Sequence, residues 1–158
     1  MVTTQLKFTQ KGLAVAFLLT AGAVLGWAQQ QHMFDGTWQM NAAQSKVNDG
    51  RVVNVTIATG DKGIKVSFKT HKSDGSDTTA EFVSKLDGKP CEFAEGDHKS
   101  QLTAWYNGPT LNASKEGGPA EDQSAMWKFE LSAKDTMTLT INHYAPAAAD
   151  EVLVFNKK

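Results

Sequence analysis

His32, His71, His98 and His143, with the single cysteine Cys91, are the side chains of this 158-residue chain best able to do chemistry. Their spacing joins none of them into a site. The histidines share no metal-ligand spacing, and Asp97-His98 specifies no site by itself. Asp74-Gly75-Ser76-Asp77 reads as a turn before it reads as a calcium loop. There is no Gly-x-Ser-x-Gly, and no serine, histidine and aspartate stand together in a way that suggests hydrolysis. No catalytic residue, metal or cofactor is therefore assigned, and the chain is not expected to be an enzyme. Asn54-Val55-Thr56 and Asn112-Ala113-Ser114 match the glycosylation sequon, which matters only in a eukaryotic secretory route.

Binding is the chemistry that remains. Phe68, Phe82, Trp127 and Phe129 fall, with Leu139 and Ile141, on the apolar faces of alternating segments. They make either a packed core or the wall of a cavity for a small hydrophobic molecule. His143 continues the Met137-Leu139-Ile141 face. A buried histidine needs partners for its ring nitrogens, so His143 is either satisfied at a rim or offers a polar contact to a ligand. Trp105 and Tyr106 are adjacent and must point to opposite faces. Tyr106 shares parity with Leu102 and Ala104 and is placed inside, where it too could orient a ligand. Cys91 cannot form an intrachain disulfide; it is a small buried hydrophobe or an exposed thiol able to bridge two chains.

The elements that must position these residues are strands. After residue 45 no long stretch has helical spacing, and turn signals recur every 8 to 12 residues, as in an antiparallel barrel or sandwich. Val53, Val55 and Ile57 alternate on one face, then Ile64, Val66 and Phe68 after the Gly60–Gly63 turn. Asp74-Gly75 marks the next hairpin. Ala80, Phe82, Ser84 and Leu86 follow, and then an Asp87-Gly88 turn with Pro90 at an edge or bulge. Shorter strands are predicted over 101–107 and 110–115. Ala125, Trp127, Phe129 and Leu131 share a face, as do Met137, Leu139 and Ile141, whose alternating threonines suit a solvated outer surface. Residues 151–156 form a last strand. A strand at each end of the chain allows first and last to pair, which favours a closed up-and-down β-barrel of eight to ten strands over a sandwich. Asn41 to Lys46 is read as one helical turn, and Lys115 to Gln123 as a mobile lid.

Lys7 and Lys11, the apolar run from Gly12 to Leu25, and Gly26-Trp27-Ala28 read as a secretory signal peptide cleaved near Ala28. The apolar run is short of the ~20 residues a spanning helix needs. One domain over 29–158 is expected, secreted or periplasmic and monomeric, with no stable membrane insertion. Removing Lys7 and Lys11 changes the formal charge from −1 to −3, which argues against nucleic acid or an anionic membrane as partner.

Phe34-Asp35-Gly36-Thr37-Trp38-Gln39-Met40-Asn41, followed by Ser45-Lys46, resembles the opening of bacterial lipocalin-like, calycin-type exported proteins. The Lys85-Leu86-Asp87-Gly88-Lys89 hairpin and the closing Val152-Leu153-Val154-Phe155 are similar to that group as well. The resemblance implies an all-β antiparallel barrel with Gly36 and Trp38 as its structural motif. The glycine would let the chain enter the first strand where a Cβ would crowd neighbouring backbone, and the indole would plug the barrel's bottom. True lipocalins often carry an arginine on the last strands that packs over this tryptophan; the only arginine here is Arg51. Two functions follow: an exported barrel holding a small hydrophobic ligand, or a filled barrel whose outer surface is a structural or protein-interaction face. An empty, mostly apolar interior of ~300 Å³ or more would favour the first.

Overall fold

The computed structural model describes residues 32–117 and 124–158. Ten strands alternate in direction: β1 (Gly36–Met40), β2 (Val52–Gly60), β3 (Gly63–His71), β4 (Asp77–Ser84), β5 (Cys91–Glu95), β6 (His98–Asn107), β7 (Thr110–Glu116), β8 (Ser124–Ala133), β9 (Thr136–Ala145) and β10 (Glu151–Lys157). Each pairs with the next, and β1 pairs with β10 through Trp38–Lys157, Gln39–Asn156 and Met40–Phe155. The sheet is thus a closed up-and-down barrel, and both ends of the chain's strand series meet to remove the open edges. The proposed signal peptide lies outside the described residues.

The alternation expected from sequence is the alternation of burial. Val53, Val55, Ile57, Ile64, Val66, Phe82, Phe129, Met137, Leu139 and Phe155 face inward, each 4% exposed or less. Polar residues between them face out and form ladders of exposed ion pairs, such as Lys65–Glu81 at 2.8 Å and Lys99–Glu92 at 3.0 Å. Such pairs contribute little stability but keep the outer faces charged. No helix among the described residues is long and apolar enough to cross a membrane.

Two local expectations differ from the fold. The strand Cys91–Glu95 is not among those predicted, because five residues after Pro90 give too short an alternation to stand out. Residues 41–46 form turns rather than a helical segment. Gln44 N donates to Asn41 O, and Ser45 then stitches the chain to β10 by accepting from Val154 N at 2.9 Å. Lys46 completes the stitch by pairing with Val152.

Trp38 plugs one end of the barrel. It is fully buried, its Nε1 donates to Phe34 O at 2.8 Å, and Phe34 stacks on Tyr106 with ring centroids 6.3 Å apart. The cation over the indole comes from the last strand and is a lysine: Lys157 Nζ lies 5.1 Å from the ring centroid. Gly36 is needed for a different reason from the one expected. Its φ of +141° is one that side chains rarely adopt, and a Cβ there would meet the flexible end of Lys157 rather than backbone.

Candidate functional site

The strands run past the apolar core toward the other end of the barrel, and their inward parity continues into polar residues. Thr70 follows Phe68 on β3, Thr78 precedes Ala80 on β4, and Glu95 follows Phe93 on β5. Lys115 follows Ala113 on β7, His143 follows Ile141 on β9, and Glu151 precedes Leu153 on β10. Arg51, two residues before Val53, joins them from the edge of β2. This end, the mouth, holds a cavity of ≈360 Å³ lined by these residues except Glu151, together with Asp49, Lys72, Ser124, Ala125, Trp127, Ile141 and residues of the β9–β10 connection. Below it a cleft of ≈110 Å³ reaches between Phe68, Phe93, Trp127, Leu139 and Leu153, with Arg51, Glu95 and Lys115 above.

Aromatic rings make the floor. Trp127 on β8 meets Phe68 on β3 edge-to-face at 5.4 Å and Phe93 on β5 at 5.3 Å, so the rings bridge across the lumen. Such edge-to-face pairs are favoured by the ring quadrupoles and hold one another in place. Beneath them the barrel is packed: Phe82 and Phe129 are 2% and 0% exposed, whereas Phe68 and Trp127 each keep 8%. Among the described residues the interior is closely packed toward the Trp38 end and opens above the aromatic floor into the mouth cavity.

Two charged groups stand above the floor. The first is centred on Glu151, whose side chain is 2% exposed. Arg51 grips it with both nitrogens, at 2.9 Å and 2.7 Å, and also reaches Asp49 at 2.8 Å. Asn48 N donates to it at 2.7 Å and His143 Nε2 lies 3.2 Å away. Burial pushes the Glu151 carboxyl up, but the Arg51 fork, the Asn48 amide and His143 outweigh it and leave the carboxyl below its ordinary value. The same forked pairing holds the Arg51 guanidinium above its ordinary value against its own burial. The group ties the start of β2 to the start of β10, where β1 no longer lies between them.

The second group is a pair. Lys115, its side chain 11% exposed, puts Nζ 3.2 Å from Glu95 Oε2 and 5.0 Å from the centre of the Phe93 ring. Glu95 is 40% exposed. Among the described residues no group of three histidine, cysteine or acidic side chains is arranged to hold a metal ion.

The residues singled out from sequence are thus dispersed by the fold. Phe68 and Trp127 line the cleft, and Trp127 and His143 line the larger cavity, His143 as a partner of Glu151. Phe82 and Phe129 support the floor from the packed half. Tyr106 sits at the plugged end beside Phe34, away from the cavity; burial, with the Asp35 charge, pushes its hydroxyl up to about 12. Cys91 is half-buried, bonds Leu102 O at 3.2 Å, and burial pushes its thiol up. Of the lid expected over 115–123, residues 118–123 lie outside the described residues. Arg51, Phe93, Glu95, Lys115 and Glu151 are the site residues that sequence reasoning missed. Inward parity carried two residues beyond each apolar run would have found Arg51, Lys115 and Glu151.

No protein-family model matches the chain, and no curated protein matches it. Solved structures do. The crystal structure of apo Caenorhabditis elegans lipid binding protein 8 superposes with a TM-score of 0.58 at 10% identity, covering 81% of this chain and 97% of that one. A fatty acid transporter, REP1-NXSQ, gives 0.54 at 13% identity over 78% and 95% of the two chains. A mutant of the fluorescent protein UnaG gives 0.51 at 17% identity over 80% and 97%. At these identities the likeness establishes the barrel fold.

Proposed function

We propose that this protein binds a small, mainly apolar molecule with an acidic end in the mouth half of its barrel. The carrying observation is the division of the interior. A barrel built only as a rigid scaffold has no need of a cavity at its mouth, and here the cavity narrows into a cleft among three aromatic side chains. The cleft between them takes the apolar part, and the larger cavity leaves the polar end among Thr70, Lys115 and His143. Its ≈360 Å³ is within the range of small-molecule sites, although its wall is more charged than a purely apolar guest requires. A largely shielded ammonium, that of Lys115 over the Phe93 ring, is the feature that favours an acid. Two structures of similar fold are described as a lipid binding protein and a fatty acid transporter, which supports the same reading. The work is that of a carrier or sensor rather than of an enzyme, performed by a monomer outside the cytoplasm.

Titration of the folded protein with anilinonaphthalene sulfonate, followed by energy transfer from tryptophan, tests this. Saturable micromolar binding, weakened in a folded Trp127→Phe variant, is expected. If neither the probe nor a long-chain acid binds, the reading fails and a filled barrel with a working outer surface replaces it.

A further inference from the structure

Glu95 and Lys115 differ from the Arg51–Glu151 group in a way that bears on how an acid would be held. Arg51 is engaged on both faces of its fork, by Glu151 and Asp49, and its principal partner is buried and fixed by Asn48 and His143 as well. A ligand acid could take Arg51 only by expelling a carboxylate with nowhere to go, leaving a buried charge unpaired. Lys115 is held by one carboxylate at 3.2 Å, and that carboxylate is 40% exposed. Glu95 ends β5 and is followed at once by the turn at Gly96, so its side chain can swing into water without disturbing a strand interior. The ammonium it would leave stays in place against the Phe93 ring, directly above the cleft.

We infer that Glu95 is an internal counter-ion that occupies the ligand-acid position on Lys115 and is exchanged for the incoming carboxylate. Glu95 is then a specificity-determining residue that works by competition. It neutralises Lys115 in the empty barrel and weakens binding of acids relative to what Lys115 alone would give. The inference rests on the binding role proposed above. Its consequence is opposite to that of an ordinary binding residue, because removing Glu95 strengthens binding. The exchange trades one partly exposed ion pair for another, so the effect is modest, about two- to fivefold.

Dodecanoate and its uncharged match dodecanol, titrated calorimetrically into wild type, Glu95→Gln, Lys115→Met and the double variant, test the idea. Near-ultraviolet circular dichroism establishes that each variant is folded. The expected result is tighter dodecanoate binding by Glu95→Gln, no such gain with dodecanol, and no gain from Glu95→Gln once Lys115 is methionine. Should Lys115→Met fail to fold, Lys115→Gln takes its place in the cycle. Wild type that binds neither compound defeats the binding role itself. Wild type that binds dodecanoate, with a folded Glu95→Gln variant that binds it equally or more weakly, leaves the binding role standing and overturns the exchange. An equal gain for acid and alcohol also overturns it.

Discussion

Glu151 is the residue whose loss the barrel should feel most at its mouth. It is almost fully buried and holds Arg51, Asn48 and His143, so Glu151→Gln leaves Arg51 without a charged partner on its buried side. Breaking such a pair costs about 3 kcal/mol, which for a domain this size lowers the melting temperature by roughly 10 °C. The pH dependence has a definite sign. The folded carboxyl lies below its ordinary value of 4.5, so its stabilisation is present above that value and is lost as pH falls through the lower, folded value. Stability measured against pH should therefore fall less steeply in acid for Glu151→Gln than for wild type. Tyr106 gives the opposite sign at the alkaline end. Its folded hydroxyl is pushed up to about 12 from 10.0, so its contribution is intact below 10 and disappears as pH rises toward 12. In a Tyr144→Phe background Tyr106 is the remaining tyrosine, and its phenolate absorbance should rise near pH 12 rather than near 10. Trp38 acts through packing instead: Trp38→Ala empties the plug and removes the bond to Phe34 O, at a cost of ~3–5 kcal/mol by thermal unfolding.

Among the strands, β5 is weakly secured on its β4 side. Only Ala80–Glu95, Glu81–Ala94 and Phe82–Phe93 pair it to β4, whereas β3 and β4 pair along eight residues from Ile64–Ser84 to His71–Asp77. Amides of β5 should exchange with solvent faster than those of β2 and β3, because local opening needs fewer bonds broken. Uniform protection across all ten strands would contradict this. The short β4–β5 seam also suits Glu95, the residue that must swing aside for an acidic guest. The β2–β3 hairpin lies at the other extreme. Gly63 has a φ of +107°, and a Cβ there would collide with Ser84 O and the Lys85 backbone of the neighbouring strand. Backbone on backbone cannot give way, so Gly63→Ala should cost more than about 2 kcal/mol, while Gly75→Ala in the open β3–β4 turn carries the φ strain alone. Chemical denaturation of the two variants side by side checks the difference.

For the molecule as a whole, export remains our expectation from the N-terminal residues, and mass spectrometry of material from the native host should place the mature N-terminus near Gln29. Intact chain beginning at Met1 in a membrane fraction would refute it. The closed barrel was legible in the sequence because a half-buried strand writes its orientation into every second residue: Val53-Val55-Ile57, Ile64-Val66-Phe68 and Met137-Leu139-Ile141 each state which face meets the core. The pairing of first and last strands followed from the cost of leaving two long edges open. Which inward residues line a space and which fill one was not legible. Phe82, Phe129, Phe68 and Trp127 have the same chemistry and the same parity, and only their height along the barrel separates the packed pair from the cleft-lining pair. That height depends on strand register, which is a relation between segments distant in the chain. The charged mouth was hidden for a related reason. Arg51, Lys115 and Glu151 stand where alternation fades at the strand ends, and a charge there reads as solvated until closure of the barrel brings Arg51 and Glu151, a hundred residues apart, within 2.7 Å.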